Sequence, residues 1–194
     1  MLRFAKAALL VAFTAAPLAA HAEPVAYTLD KSHTSITFSV DHFGFSTVHG
    51  RFDDFSRTIT LDQQKPENSK VAFTVKAASV DTQWAKRDEH LRSADFFNVA
   101  KFPDITFTST KVVLDKDDKN EADVTGNLTL LGVTKPVTFE VELRKLEKSP
   151  ISQKMTAGFK VEGKIKRTDF GMSTYAPMAG DEIPLRIDAE AFID

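Results

Sequence analysis

Apolar side chains recur at every second residue along most of this chain, a spacing that belongs to strands with one face buried and one face wet. Ile36, Phe38 and Val40 alternate with Thr37, Ser39 and Asp41, and Val48, Gly50 and Phe52 continue the pattern after Phe43-Gly44-Phe45-Ser46-Thr47. Both inward sets fall on even numbers. Opposed residues in this hairpin therefore have an even sum, as in His42 with Val48 and Phe38 with Phe52, and the connection has an odd length. The parity then flips, because Phe55, Ile59 and Leu61 are odd. That flip requires a bulge or bend near Asp53-Asp54, the device by which barrel walls turn their corners.

Further strands read at Val71, Phe73 and Val75; at Ile105 and Phe107; and at Val124, Gly126, Leu128 and Leu130. Three more follow at Val137, Phe139, Val141 and Leu143; at Phe159, Val161, Gly163 and Ile165; and at Ile183, Leu185, Ile187 and Ala189. Turn chemistry separates them, in Gln64-Lys65-Pro66-Glu67-Asn68, Asp115 to Asn120, Gly132 and Lys148-Ser149-Pro150. The fold class is all-β, with eight antiparallel strands that are mostly hairpin-linked. Such a sheet either closes as an up-and-down barrel around a small lumen or splits into a sandwich, and periodicity fits both.

One segment breaks the pattern. Asp81 to Arg92 reads as a short helix with Asp81 or Thr82 as N-cap, and Trp84, Arg87, Asp88 and Leu91 share one face at i, i+3, i+4 and i+7. One reading makes it a lid packed through Trp84 and Leu91, with Asp88 capping or pairing to Arg92. The other puts Arg87 and His90 at a barrel mouth, facing a polar or anionic head group.

Arg3 and Lys6 precede an apolar run from Ala7 to Ala20 that ends in Ala20-His21-Ala22, the form of a secretory signal peptide over residues 1–22. The run is too short for a membrane anchor, which needs roughly 20 apolar residues. The expected mature domain is 23–194. Cysteine is absent, so no disulfide framework and no lipidated cysteine supports the fold. Loss of Arg3 and Lys6 takes the net charge from -2 to -4, and acidic and basic residues are interspersed, which speaks against nucleic acid as a partner. The chain has 16 Phe against one Trp and two Tyr. Phe lacks a polar tip, so this bias suits dry interior surface.

The run Arg87-Asp88-Glu89-His90-Leu91-Arg92-Ser93-Ala94-Asp95-Phe96-Phe97, with Phe102-Pro103 and Thr106-Phe107 after it, closely resembles the central signature of the YceI-like family. The opening Asp30-Lys31-Ser32-His33-Thr34-Ser35-Ile36-Thr37-Phe38, with His42-Phe43-Gly44 and Gly50-Arg51-Phe52, looks like that family's first hairpin, although Ser more often follows the His where this chain has Thr34. Gly126-Asn127-Leu128-Thr129, Leu131-Gly132-Val133-Thr134-Lys135-Pro136-Val137 and Arg167-Thr168-Asp169-Phe170-Gly171-Met172 match later landmarks in order. The resemblance implies an eight-stranded lipocalin-like β-barrel with one short helix at the mouth, located in the bacterial periplasm. It implies a lumen that holds a polyisoprenoid chain, either a polyprenyl phosphate or an isoprenoid quinone, as well as a homodimer and at most transient membrane contact. At ~0.8 kcal/mol per buried CH₂, the apolar wall alone can supply affinity for such a chain.

The expected lumen wall is Phe38, Val40, Phe52, Phe73, Phe107, Leu128, Phe139, Phe159 and Ile187. Trp84, Arg87, His90, Phe170 and Tyr175 are the mouth candidates, and Asp169-Phe170-Gly171 ahead of Met172 and Met178 reads as a flexible flap. An enzyme is the first rival reading, resting on Asp30, Ser32 and His33 or on Asp88 and His90. Neither neighbourhood carries a nucleophile elbow, and His33 and His42 fall on opposite faces of a straight strand, which leaves no metal pair. A protein-interaction platform or accessory factor for a membrane redox partner is the second rival. Asn127-Leu128-Thr129 fits a glycosylation pattern only by coincidence, since it lies within a predicted strand.

Overall fold

The computed structural model describes residues 24–194, so the expected leader at 1–22 lies outside the described residues. Ten strands follow in chain order: β1 Val25–His42, β2 Ser46–Phe52, β3 Phe55–Leu61, β4 Lys70–Lys76, β5 Val80–Asp81, β6 Asp104–Leu114, β7 Glu121–Leu130, β8 Val133–Lys148, β9 Met155–Lys166 and β10 Glu182–Phe192. The helix α1, Ala85–Arg92, lies between β5 and β6.

Two of the wall strands are bent. β2 and β3 both lie along β1, with Asp53-Asp54 as the break between them, where the change of parity places it. β4 and β5 follow the same course along β3 and β2, separated by a turn of 3₁₀ helix at Ala77–Ser79. Each bent pair counts as one wall strand, which leaves eight. The free edge of β1 pairs antiparallel with β10, from Thr28 with Phe192 to Phe38 with Leu185. That ladder decides for a closed barrel over a sandwich.

Opposed residues of the first hairpin have the expected even sum, and the connection Phe43-Gly44-Phe45 has an odd length. The register itself differs by two residues. Ile36 faces Phe52, Phe38 faces Gly50 and Val40 faces Val48, in place of Phe38 with Phe52 and His42 with Val48. The physical reason is Gly50, because a Cβ there would lie less than 3 Å from three atoms of the Phe38 ring. Phe107 over Gly126 and Phe139 over Gly163 repeat the arrangement, with the ring occupying the space that a side chain would need.

β1 begins at Val25, well ahead of the alternation at Ile36, because its register against β10 is broken between Asp30 and Ser35. The extra residues fold over the Asp30 carboxylate. Ser32 donates to it through its backbone N–H at 2.8 Å and through its hydroxyl, and His33 Nδ1 lies 2.8 Å from the other oxygen. The Ser32 hydroxyl first, and then His33, pull the Asp30 pKa down to about 2. Asp30 in turn raises that of His33. Asp30 therefore contributes stability above the ordinary carboxylate range and loses it as pH falls towards 2. His33 contributes below its ordinary value of 6.5 and loses the contribution as pH rises through its raised one.

Two outcomes are expected. Gly50→Ala should destabilise the protein by about 1–3 kcal/mol in urea unfolding, since the added methyl forces the Phe38 ring off its seat; unchanged stability would mean that the ring moves freely. Asp30→Asn should shift the His33 titration down towards the ordinary imidazole value, as followed by NMR of the ring protons. A His33 titration indifferent to the substitution would show that the pair does not form in solution.

Candidate ligand-binding cavity

The barrel encloses a cavity of about 500 Å³, within the range of small-molecule sites. All nine expected wall residues line it: Phe38, Val40, Phe52, Phe73, Phe107, Leu128, Phe139, Phe159 and Ile187. Phe38 and Phe52 stand 5.5 Å apart between ring centres, and Phe107 meets Phe139 edge to face at 5.4 Å. The aromatic part of the wall is thus a set of interlocked side chains held by the β-ladder, in a lining that is mainly apolar.

One end of the cavity is covered by α1 and the turn that follows it. Leu91, Phe96 and Phe97 line the cavity there, and Phe97 packs edge to face on Phe52 at 5.6 Å. Sequence reasoning missed all three as wall residues, since they lie outside any period-two run. Two adjacent Phe in a non-periodic segment were the available signal. At the other end the lining passes into the β3–β4 and β6–β7 turns, where Gln63, Lys70, Lys119 and Asn120 are exposed. Asp62 also lines this end. Its carboxyl is held below the usual carboxylate range first by the Lys65 backbone N–H, with further donors in Asn68 and Gln64.

None of the five mouth candidates lines the cavity. Arg87 spends Nε on the Thr82 hydroxyl at 2.7 Å and Nη2 on the Thr82 carbonyl at 2.6 Å, so its Nε–Nη2 fork is taken. Trp84 is 58% exposed and carries the Arg87 guanidinium 5.6 Å from its ring. His90 lies 3.2 Å from Asp95 and meets the rings of Phe96 and Tyr175 from the outside. Tyr175 is itself half exposed. Phe170 is buried against Leu128 and Leu130 as core.

The helix start also differs from expectation. Trp84 is the N-cap, without a side-chain bond, and Thr82 instead donates its N–H and hydroxyl to the buried Asp88. Arg92 ignores Asp88 and donates to the carbonyls of Ala78 and Val80. These bonds bolt the helix to β5.

The expected flap at 169–178 is a stapled loop. The buried Arg167 donates to the carbonyls of Gly180, Met172, Thr174 and Ala179, and Asp181 accepts from the Thr168 N–H and hydroxyl. Four carbonyls gathered on one guanidinium hold such a loop in a single conformation.

The groups that suggested catalysis are placed otherwise. A Ser–His–acid relay needs the serine on one ring nitrogen and the acid on the other. Here the Ser32 hydroxyl and the Asp30 carboxylate both address His33 Nδ1, and the serine proton goes to Asp30. The trio sits on the β1 bulge, with Ser32 and His33 exposed and Asp30 half-buried, and does not line the cavity. Asp88 and His90 are engaged with Thr82 and Asp95 respectively and do not act together. The bulge brings His33 beside Asp30 and Glu190, while His42 stacks on Phe43.

A family model described as the YceI-like domain matches residues 27–191. Protein YceI of Salmonella arizonae is 48% identical over 166 residues, which is 84% of this chain and 85% of that protein. The crystal structure of the Campylobacter jejuni YCEI protein superposes with a TM-score of 0.71 at 40% identity, covering 87% of this chain and 98% of that one. A polyisoprenoid binding domain from Saccharophagus degradans shares the fold, with a TM-score of 0.63 at 16% identity over 87% of this chain and 98% of its own. With the family model spanning nearly the whole barrel and close relatives over most of its length, this chain belongs to the YceI-like family.

Proposed function

We propose that this protein binds a long-chain polyisoprenoid lipid in its barrel and performs no chemistry on it, acting as a carrier or store in the periplasm after loss of its leader. The observation that carries the reading is the hollow interior. Eight-stranded barrels are either filled by side chains or left with room for one small ligand. In this one Phe38, Phe107 and Phe139 are drawn back onto glycines, and a cavity lined mainly by apolar side chains is left. Burying ten methylenes in such a wall is worth about 8 kcal/mol, the equivalent of a micromolar Kd. That the fold relative from Saccharophagus degradans is named a polyisoprenoid binding domain supports the reading.

A second reading makes the protein a docking platform, either as a homodimer or in transient contact with a membrane. In its favour stand Phe45, 89% exposed at the β1–β2 tip, and Met178, 64% exposed next to the bridge between His42 and Ala179. The lumen's content separates the two readings.

Native mass spectrometry of protein purified without detergent, followed by solvent extraction, should find a stoichiometric polyprenyl or quinone species. An empty protein that also refuses added polyprenyl lipids would overturn the binding reading in favour of the platform. Phe139→Asp should lower lipid retention by at least about tenfold, because the chain would have to cover a carboxylate. Retention at the wild-type level by a folded Phe139→Asp variant would remove Phe139 from the binding wall.

A further inference from the structure

Arg167 and Arg57 both carry guanidinium groups withdrawn from solvent, and the structure treats them differently. Arg167 gives its donors to four backbone carbonyls. Arg57 stands between Phe55 and Ile59 on β3 and directly opposite Phe73 on β4. Ile59 and Phe73 line the cavity, and alternation along the strand, together with the opposed pair, puts Arg57 on the same inner face, although Arg57 itself does not line the open space. Its Nη1 donates to the Tyr27 carbonyl at 3.2 Å, where the β1–β3 ladder ends. Its Nε and Nη2 are shut off from solvent and have no acceptor among the described residues.

These two nitrogens form one edge of the guanidinium. It is the edge that Arg87 turns on Thr82, Arg92 on the carbonyls of Ala78 and Val80, and Arg186 on Asp188. On Arg57 alone among these four is it empty. Burial draws the Arg57 pKa down to about 10, which leaves it charged at neutral pH. A buried charge with an unfilled fork is strongly unfavourable and is a place where a missing partner is expected.

We propose that Arg57 anchors the ligand's head group, the inner wall giving way beside it on loading so that its unfilled Nε–Nη2 edge takes two oxygens borne on one atom, as in a phosphate or a carboxylate. The hydrocarbon tail then lies along the apolar wall. Fork geometry matches paired oxygens bidentately, whereas the two ring oxygens of a para-quinone point in opposite directions and cannot share one edge. The assignment rests on the lipid-binding reading above, and it places the head group on the inner wall rather than beside Arg87 and His90.

The test uses three probes with one C20 prenyl chain, geranylgeranyl phosphate, geranylgeranoic acid and geranylgeraniol, titrated calorimetrically into lipid-free protein lacking residues 1–22. The wild type should bind at least one of the acids about tenfold or more tightly than the alcohol, and whichever acid wins names the head group. Arg57→Leu should bind all three as the wild type binds the alcohol, and its melting temperature should rise as an unpaired buried charge is removed. Arg57→Lys, which keeps the charge but loses the fork, should retain only part of the preference. Equal binding of acids and alcohol by the wild type, or an acid preference that survives in Arg57→Leu, would overturn the assignment to Arg57 while leaving lipid binding intact. A wild-type protein that binds none of the three would instead sink the lipid-binding reading itself.

Discussion

Three phenylalanine rings seated on three glycines set the terms for the rest of this barrel. Alternation along a closed eight-stranded sheet points a side chain inward at every second residue, and in so narrow a cylinder the seating of those side chains decides between a filled interior and a hollow one. Gly50, Gly126 and Gly163 leave gaps in the wall, and Phe38, Phe107 and Phe139 lie back into them. The same seating fixes the β1–β2 register, places Phe52 under Phe97 and so docks the cover segment on the wall. Packing of this kind gives a hollow that is both apolar and shaped, which loose hydrophobic burial would not.

The strands from β6 to β10 were legible because one face of each is buried, and a one-residue slip would turn that whole face to water. Val25 to Leu29 was not legible as part of β1, because the Asp30-to-Thr34 bulge cuts its alternation off from Ile36. Parity gave the hairpin an even sum but could not choose between sums two apart, and the choice fell to Gly50. Arg57 was hidden in another way. The odd parity that carries Phe55, Ile59 and Leu61 inward carries Arg57 with them, yet a cation on an inner face runs against every compositional expectation and is easily passed over.

Residues that looked functional by chemical type proved to be wiring. The stretch from Arg87 to Arg92 is rich in charge, but Arg87 and Asp88 close on Thr82, and Arg92 closes on backbone carbonyls near β5. A sequence shows which donors exist and not which acceptors reach them first. Local partners within a few residues take precedence because little chain entropy is lost in meeting them. Arg57 is informative for the opposite reason, since among the described residues the Tyr27 carbonyl alone accepts from it.

The stapling of one end has a kinetic corollary. Opening the barrel beside α1 would mean releasing the carbonyls on Arg167 and those on Arg92 together with the Phe97 contact, whereas the turns around Gln63 and Asn120 already meet water. Passage is therefore easier at the turn end than at the helix end. In a tube used from one end the resident molecule must leave before another can enter, so the exchange rate is set by departure and does not respond to how many newcomers are waiting outside.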